Sequence, residues 1–266
     1  MNLDRDSICT YLSGLLLTTL LSVQLAVAEP LTSEDAQQQL QQLSHQILKS
    51  PQDTGLLLQR GNIYFQLHDF DKAIHDYNTA LAKKPNLAEA YFGRGMALGR
   101  IGKIREGIAD LSVFIENRPN SSVGYTKRGV RYLWLGDREN AEHDLRKAIS
   151  LNPKNAEAHD DLGVIFAQKG DFKTALAHFK QTITYDPSYQ KGYHNMALGY
   201  LLSNDASKAL PYINQAIKLQ PGNRNSLLLK AEILTAMGHA SEAKAIQEQA
   251  EFLPEGNWSE EAPTPN

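Results

Sequence analysis

Prolines recur along this chain at a fixed interval. Pro51, Pro85, Pro119, Pro153, Pro187 and Pro221 are equally spaced, without a slip. A proline ring removes a backbone donor, clashes with the preceding helical turn and pushes the residue before it into an extended conformation, so each one marks where a helix stops and another begins. Six of the 11 prolines lie on this interval, which makes the chain an array of equal units rather than a domain with one central core.

Aligning the chain on these prolines gives columns with a readable physical purpose. Gly61, Gly95, Gly129, Gly163, Ala197 and Ala231 form one, and Ala73, Gly107, Ala141, Ala175, Ala209 and Ala243 another. Glycine in a helix costs about 1 kcal/mol relative to alanine, so a column of four needs a compensating reason, and the close approach of two helices supplies it. Between them lies the column His68, Gly102, Gly136, Gly170, Asn204, Gly238. Helices end on positive-φ residues, which are glycine by preference, with asparagine and histidine tolerated. Asp69, Asp137, Asp171 and Asp205 follow at once and suit the capping of a second helix. Large apolar residues fill complementary columns: Tyr64, Leu98, Tyr132, Phe166, Tyr200 and Leu234 on the first helix, and Tyr77, Leu111, Leu145, Phe179 and Ile213 on the second. Each unit therefore reads as helix, tight turn, helix, proline-marked turn.

Residues 156–189 carry His159, Leu162-Gly163, Phe166, Ala175, Phe179 and Pro187, with Thr182 where a small alanine is expected. This pattern resembles the tetratricopeptide repeat, and the resemblance implies an all-α, right-handed α-solenoid. Six units are expected, at 54–87, 88–121, 122–155, 156–189, 190–223 and 224–257. The last is degenerate, with Pro254 one residue early and Gln247 in place of the aromatic. Two short helices cannot bury enough apolar surface to fold alone, so stability belongs to the stack. Ala36, Leu40, Leu43 and Ile47 fall at helical spacing and predict an N-terminal capping helix within 29–53. Residues 258–266 have no periodicity and are expected to be a disordered tail.

The first 28 residues differ in kind. The apolar run from Tyr11 to Ala28 ends in Ala26-Val27-Ala28, a small-x-small pattern that predicts a signal peptide cleaved before Glu29. The expected location is periplasmic or secreted, with no membrane span after cleavage. Retention of the run as an inner-membrane anchor is the alternative; Ser13, Thr18, Thr19, Ser22 and Gln24 interrupt it. Cys9 is the only cysteine, so the cleaved chain has neither a disulfide nor a thiolate site.

Chemistry is sparse. Charged residues are 21% of the chain with a net charge of −3, and no basic stripe suited to nucleic acid stands out. The eight histidines form no H-E-x-x-H or other ligand spacing, and neither G-x-S-x-G nor G-x-x-x-x-G-K occurs. The adjacent acids Asp160 and Asp161 point about 100° apart on a helix, which does not favour a shared proton. No catalytic residue, metal or cofactor is expected, and the chain reads as a non-enzyme. Asn120-Ser121-Ser122 and Asn257-Trp258-Ser259 match the glycosylation pattern and are read as coincidence.

What remains is a groove. The resemblance implies that the first helix of each unit lines a concave face, and the positions expected to contact a peptide there are Asn62, Phe92, Met96, Arg100, Lys127, Val130, Trp134, Asp160, His194 and Asn195. Equivalent positions such as Phe92, Thr126, Asp160 and His194 differ in chemistry, as contact with a non-repeating guest would require. The Met96, Val130, Val164 and Leu198 column fits either a groove floor or core between units. Some members of the family bind a C-terminal carboxylate through a clamp of lysine and asparagine. Asn62 and Lys127 fit such a clamp, whereas Leu58, Gly93 and Val123 stand where its polar residues belong. An apolar groove with a basic margin is expected instead, suited to a protein or peptide bearing aromatic or acidic residues. The function implied is an exported scaffold or adaptor in bacterial envelope assembly or secretion. The alternative is a chaperone-like binder of unfolded exported chains.

Overall fold

The computed structural model describes residues 33–253. The expected signal peptide at 1–28 and tail at 258–266 lie outside the described residues. Within them the chain is helical throughout: α1 Ser33–Lys49, α2 Thr54–Gln66, α3 Phe70–Lys83, α4 Ala88–Arg100, α5 Ile104–Asn117, α6 Ser122–Trp134, α7 Arg138–Leu151, α8 Ala156–Gln168, α9 Phe172–Tyr185, α10 Gln190–Leu202, α11 Ala206–Leu219, α12 Arg224–Ala236 and α13 Ala240–Glu251. We number the pairs 1 to 6 from α2–α3, and their first helices start at the same constant interval as the prolines. From α2 onward each helix packs on the next, and first helices of neighbouring pairs also touch, which gives an all-α repeat solenoid.

Contacts divide the chain at residue 39. In 1–39 the described stretch is the start of α1, exposed except at Ala36. In 40–266 the remainder of α1 does for pair 1 what a second helix does for the pair after it. Ile47 packs on the cluster around Leu57, Tyr77 and Leu81. Ser44, one repeat before Asn78, accepts a bond from Arg60 Nη1 at 3.0 Å.

Every turn inside a pair uses positive φ. His68 and Asn204 both sit at 59°, and the four glycines of their column lie between 78° and 84°. Asp69, Asp137 and Asp171 cap the second helices by accepting from the amides of Lys72, Asn140 and Thr174. Asp205 is a correction to the expected set: its carboxylate takes Ser207 Oγ and Lys208 Nζ instead of an amide. The small columns meet across each pair. A Cβ on Gly95 would lie 2.9 Å from the carbonyl oxygen of Gly107, and one on Gly129 would lie 3.3 Å from that of Ala141.

An ion-pair ladder, which no single column above predicts, joins the helices of pairs 1 to 3. Arg60, Arg94 and Arg128 donate through Nε and Nη2 to both oxygens of Asp76, Asp110 and Asp144, at 2.6–2.9 Å. Their Nη1 atoms reach back to Ser44, Asn78 and Ser112, binding each pair to the helix before it. The carboxylates are buried, so desolvation is offset by bidentate, charge-assisted bonds. Those bonds raise the three arginines above their already high ordinary pKa. The ladder stops at pair 4, where Leu162 and His178 hold these positions, and pair 5 has Met196 and Tyr212.

Candidate peptide-binding pocket

Pairs 1 to 3, with one residue of pair 4, line an open pocket of about 310 Å³. Phe65, Gln66, His68 and Phe70 come from the turn of pair 1, and Met96 and Arg100 from α4. Lys127, Val130, Arg131 and Trp134 come from α6, and Glu157 from α8. The 3.6-residue period explains the set from α6: positions 127, 130, 131 and 134 share one helix face.

Apolar and aromatic side chains make up much of its wall, and among the described residues Arg100, Lys127, Arg131 and Glu157 bring charge to it. The Arg131 guanidinium stacks 4.4 Å from the Trp134 ring centroid. Its Nη2 donates toward the carbonyl oxygen of Met96 at 3.4 Å and lies 3.2 Å from Met96 Sδ. The side chain is almost fully enclosed, 2% exposed, because Gly99 beneath it has no side chain: a Cβ there would lie 2.5 Å from Arg131 Nε. Arg100 sits over the Phe70 ring at 5.8 Å. Lys127 Nζ is 2.5 Å from Glu157 Oε1. Both aromatic walls, Phe70 and Trp134, thus carry a guanidinium over the ring.

Of the ten positions expected to contact a guest, this pocket brings together five: Met96, Arg100, Lys127, Val130 and Trp134. Asn62 is exposed and accepts from the Tyr77 hydroxyl at 2.8 Å. Phe92 is half-buried against Phe114, ring centroids 4.9 Å apart. Asp160, His194 and Asn195 belong to another cluster, between α8, α10 and α12. Asn195 Nδ2 donates to both Asp160 oxygens at 2.9 and 3.0 Å, Lys191 Nζ lies 3.5 Å from Asp160 and 3.4 Å from Asp161, and His194 Nδ1 lies 3.1 Å from Ser226 Oγ.

Asp160 is 0% exposed and Asn195 9%, and they bond to each other between pairs 4 and 5. Thr126 is also buried, and its Oγ1 accepts from the Asn155 side chain that caps α8. At these positions the variation serves the fit of one pair to the next.

Three histidines have pKa values pulled down, and burial is the leading cause in each. His194 falls to about 4, with Lys191 adding repulsion. His178 falls to about 4, pushed further by His159 and Arg146, and His159 is itself lowered. His159 Nε2 donates to the Pro153 carbonyl at 3.1 Å, which leaves its Nδ1 to accept from His178 Nδ1 at 3.0 Å. None of the three lines the pocket of pairs 1 to 3. Among the described residues no group of three or more histidine, cysteine, aspartate or glutamate side chains is placed to hold a metal ion.

The residues missed from sequence carry different amounts of signal. Arg131 stands in the column Ile63, Ala97, Ile165, Gly199, Ile233, and one cation among apolar residues is visible there. Phe65, Phe70 and Glu157 share no column with the other lining residues, and only the fold gathers them.

Family models of the tetratricopeptide repeat match residues 89–121, 126–189 and 190–223, and a further TPR repeat model matches 61–102. No curated protein gives a significant match. Among solved structures, the Cut9–Hcn1 hetero-tetramer of the APC/C superposes with a TM-score of 0.71 at 17% identity, over 82% of this chain and 45% of that one. This chain thus spans less than half of that relative. A tetratricopeptide repeat protein from Parabacteroides merdae gives 0.68 at 19% identity, covering 85% and 90% of the two chains. PilW, described as a widely conserved type IV pilus biogenesis factor, gives 0.68 at 19%, covering 74% and 92%. At such identities the likeness concerns the fold. With four repeat models matching along its helical pairs, the chain is a tetratricopeptide-repeat protein.

Proposed function

We propose that this protein is an interaction scaffold whose pairs 1 to 3 hold a segment of a partner protein carrying an aromatic side chain next to acidic residues. The observation that carries the reading is the pocket at Arg131 and Trp134, where a buried guanidinium is stacked on a half-buried indole and flanked by Arg100 and Lys127. The equivalent positions of the other pairs hold isoleucine, alanine and glycine, so the cation belongs to this pocket alone among the pairs.

The end of the apolar leader at Ala26-Val27-Ala28 favours export, and we assign the scaffold to the periplasm or the cell exterior. Among the described residues no helix is long and apolar enough to cross a membrane. Sharing a fold with PilW fits a role in envelope assembly.

The test is capture from an envelope extract by the full chain, compared with Trp134→Ala and Arg100→Glu. A stoichiometric partner retained by the wild type and lost with both variants supports the reading. Equal recovery by all three means that the binding face is wrong. Capture of many unfolded chains, insensitive to both substitutions, points to chaperone-like binding instead.

A further inference from the structure

The histidines divide this chain where the ion-pair ladder ends. Of the eight, His45, His68, His75, His143 and His239 are exposed, whereas His159 is buried and His178 and His194 are half-buried. All the enclosed rings therefore stand in pairs 4 and 5. The bidentate rungs of Arg60, Arg94 and Arg128 stand in pairs 1 to 3, and the later pairs put Leu162 and His178, Met196 and Tyr212, and Lys230 and Ile246 in their place. One part of the array is tied by charges, the other by imidazoles that fit only while neutral.

Each enclosed ring is set so that a proton costs it a contact or meets a like charge. His159 Nε2 donates to the Pro153 carbonyl at 3.1 Å, so a proton can enter only at Nδ1, the atom that accepts from His178 Nδ1 at 3.0 Å. Tyr185 of α9 lies against the same ring, centroids 5.6 Å apart. A proton on His178 enters at Nε2, on a ring stacked 5.5 Å from Phe166 and within the field of Arg146 on α7. Arg146 pairs with Glu142, which Lys169, just after α8, also engages. His194 Nδ1 lies 3.1 Å from Ser226 Oγ on α12, and Lys191 on its own helix repels a proton there. The carboxylates of that cluster, Asp160 and Asp161 on α8, are engaged by Asn195 and Lys191.

We propose that mild acid loosens pairs 4 and 5 as a unit while pairs 1 to 3 stay folded, so that one array carries an acid-sensitive and an acid-tolerant segment. Linkage gives the direction. His178 and His194 titrate near 4 in the folded chain against about 6.5 when unfolded, and His159 is lowered as well, so the opened segment binds more protons. The stability these rings contribute is complete above pH 6.5 and is lost as pH falls toward 4. The rungs hold no group that takes up a proton in the upper part of that window, since arginine stays charged and carboxylates ordinarily titrate near 3.9. A repeat array lets its segments respond separately, because each pair contacts only its neighbours and stretches of it open on their own. Glu157 of α8 pairs with Lys127, so loosening of pair 4 reaches one edge of the pocket and leaves the walls from pairs 1 to 3 in place.

The test is hydrogen exchange of the full chain at pH 7 and pH 5, resolved by segment and corrected for the intrinsic pH dependence of exchange. One histidine lowered from about 6.5 to about 4 changes an opening equilibrium by more than about tenfold at pH 5. Protection of α8, α9 and α10 is therefore expected to fall at least about tenfold, while that of α3 and α5, which carry Asp76 and Asp110, changes by less than about twofold. Loss spread evenly over all pairs, loss that begins in pairs 1 to 3, or no loss at pH 5 overturns the proposal.

Variants, each compared with itself at the two pH values, separate titration from general destabilisation. His178→Gln keeps a donor for His159 Nδ1 without a titrating ring, and it and His194→Gln are each expected to recover several-fold of the protection lost at pH 5. Leu162→Arg with His178→Asp grafts the rung of pairs 1 to 3 onto pair 4 and is expected to recover it in α8 and α9. If all three lose as much protection between pH 7 and pH 5 as wild type does, the histidines are not the cause and the proposal fails.

Discussion

One methyl group added at Gly163 tests how closely the paired helices depend on a missing side chain. A Cβ there would lie 2.5 Å from Phe179 Cε1, 2.8 Å from Cδ1 and 3.1 Å from Cζ. Carbon contacts prefer about 3.5–4.0 Å, so the ring must retreat by about 1 Å. It has nowhere to go, being 2% exposed and packed against Ala175 and Met196. Helix propensity alone favours alanine by about 1 kcal/mol, and overpacking opposes it by about 1–3 kcal/mol. The expected net result for Gly163→Ala is a loss of about 0–2 kcal/mol.

Pair 5 supplies the control, since it holds Ala197 and Ile213 at the equivalent positions, both fully buried. Phe179→Ile alone should destabilise by removing buried ring surface. Combined with Gly163→Ala it recreates the pair 5 contact, and a favourable coupling of about 1–2 kcal/mol is expected in the double-mutant cycle. Urea unfolding followed by far-ultraviolet circular dichroism measures all four proteins, compared at constant slope because repeat arrays are not always two-state. A Gly163→Ala variant more stable than wild type, or a coupling within about 0.3 kcal/mol of zero, would refute the close-approach account.

Acid should weaken the fold through its buried histidines. His194 titrates near 4 in the folded chain against about 6.5 when unfolded. Its contribution is therefore complete above pH 6.5 and is lost as pH falls toward 4, on the order of 2 kcal/mol by pH 5. His194→Gln is expected to flatten the pH dependence of the urea midpoint in that window, and an unchanged slope would show that the ring is solvated. Asp144→Ala strips Arg128 of its bidentate partner beside a helix interface and should cost about 2–4 kcal/mol by the same assay. Lys208→Ala, which breaks the exposed pair with Asp205, should leave the midpoint unchanged. Asn204→Gly relieves a positive φ of 59° and should raise the thermal midpoint, by about 0.5–1 kcal/mol in stability; a fall would mean that the asparagine side chain holds the turn.

The legible parts of this protein are those that repeat. Tyr64, Gly61 and Ala73 recur because every pair solves the same packing problem within its own repeat, and the positive-φ column of His68, Asn204 and the glycines shows where each hairpin turns. The ladder of Arg60, Arg94 and Arg128 is equally periodic. It is harder to read because only its arginine and aspartate columns together reveal it, and because it stops at Leu162 and His178. Among the candidate contacts, Met96, Arg100, Lys127, Val130 and Trp134 share a pocket, whereas Asp160 and Asn195 are sealed between pairs 4 and 5. Both sets come from columns on the first helices.

The sequence by itself determined the unit: helix boundaries, turn conformation and the small-against-large contact inside each hairpin. Those depend on residues close in the chain, and six near-copies make the pattern plain. Tertiary structure decided which of the non-repeating side chains meet a neighbouring pair and which meet open space. Phe65 of pair 1 and Glu157 of pair 4 reach one pocket, and Thr126 vanishes beneath Asn155. Such outcomes depend on how successive hairpins lean on one another, and contacts of that range occur once each, so no periodicity announces them.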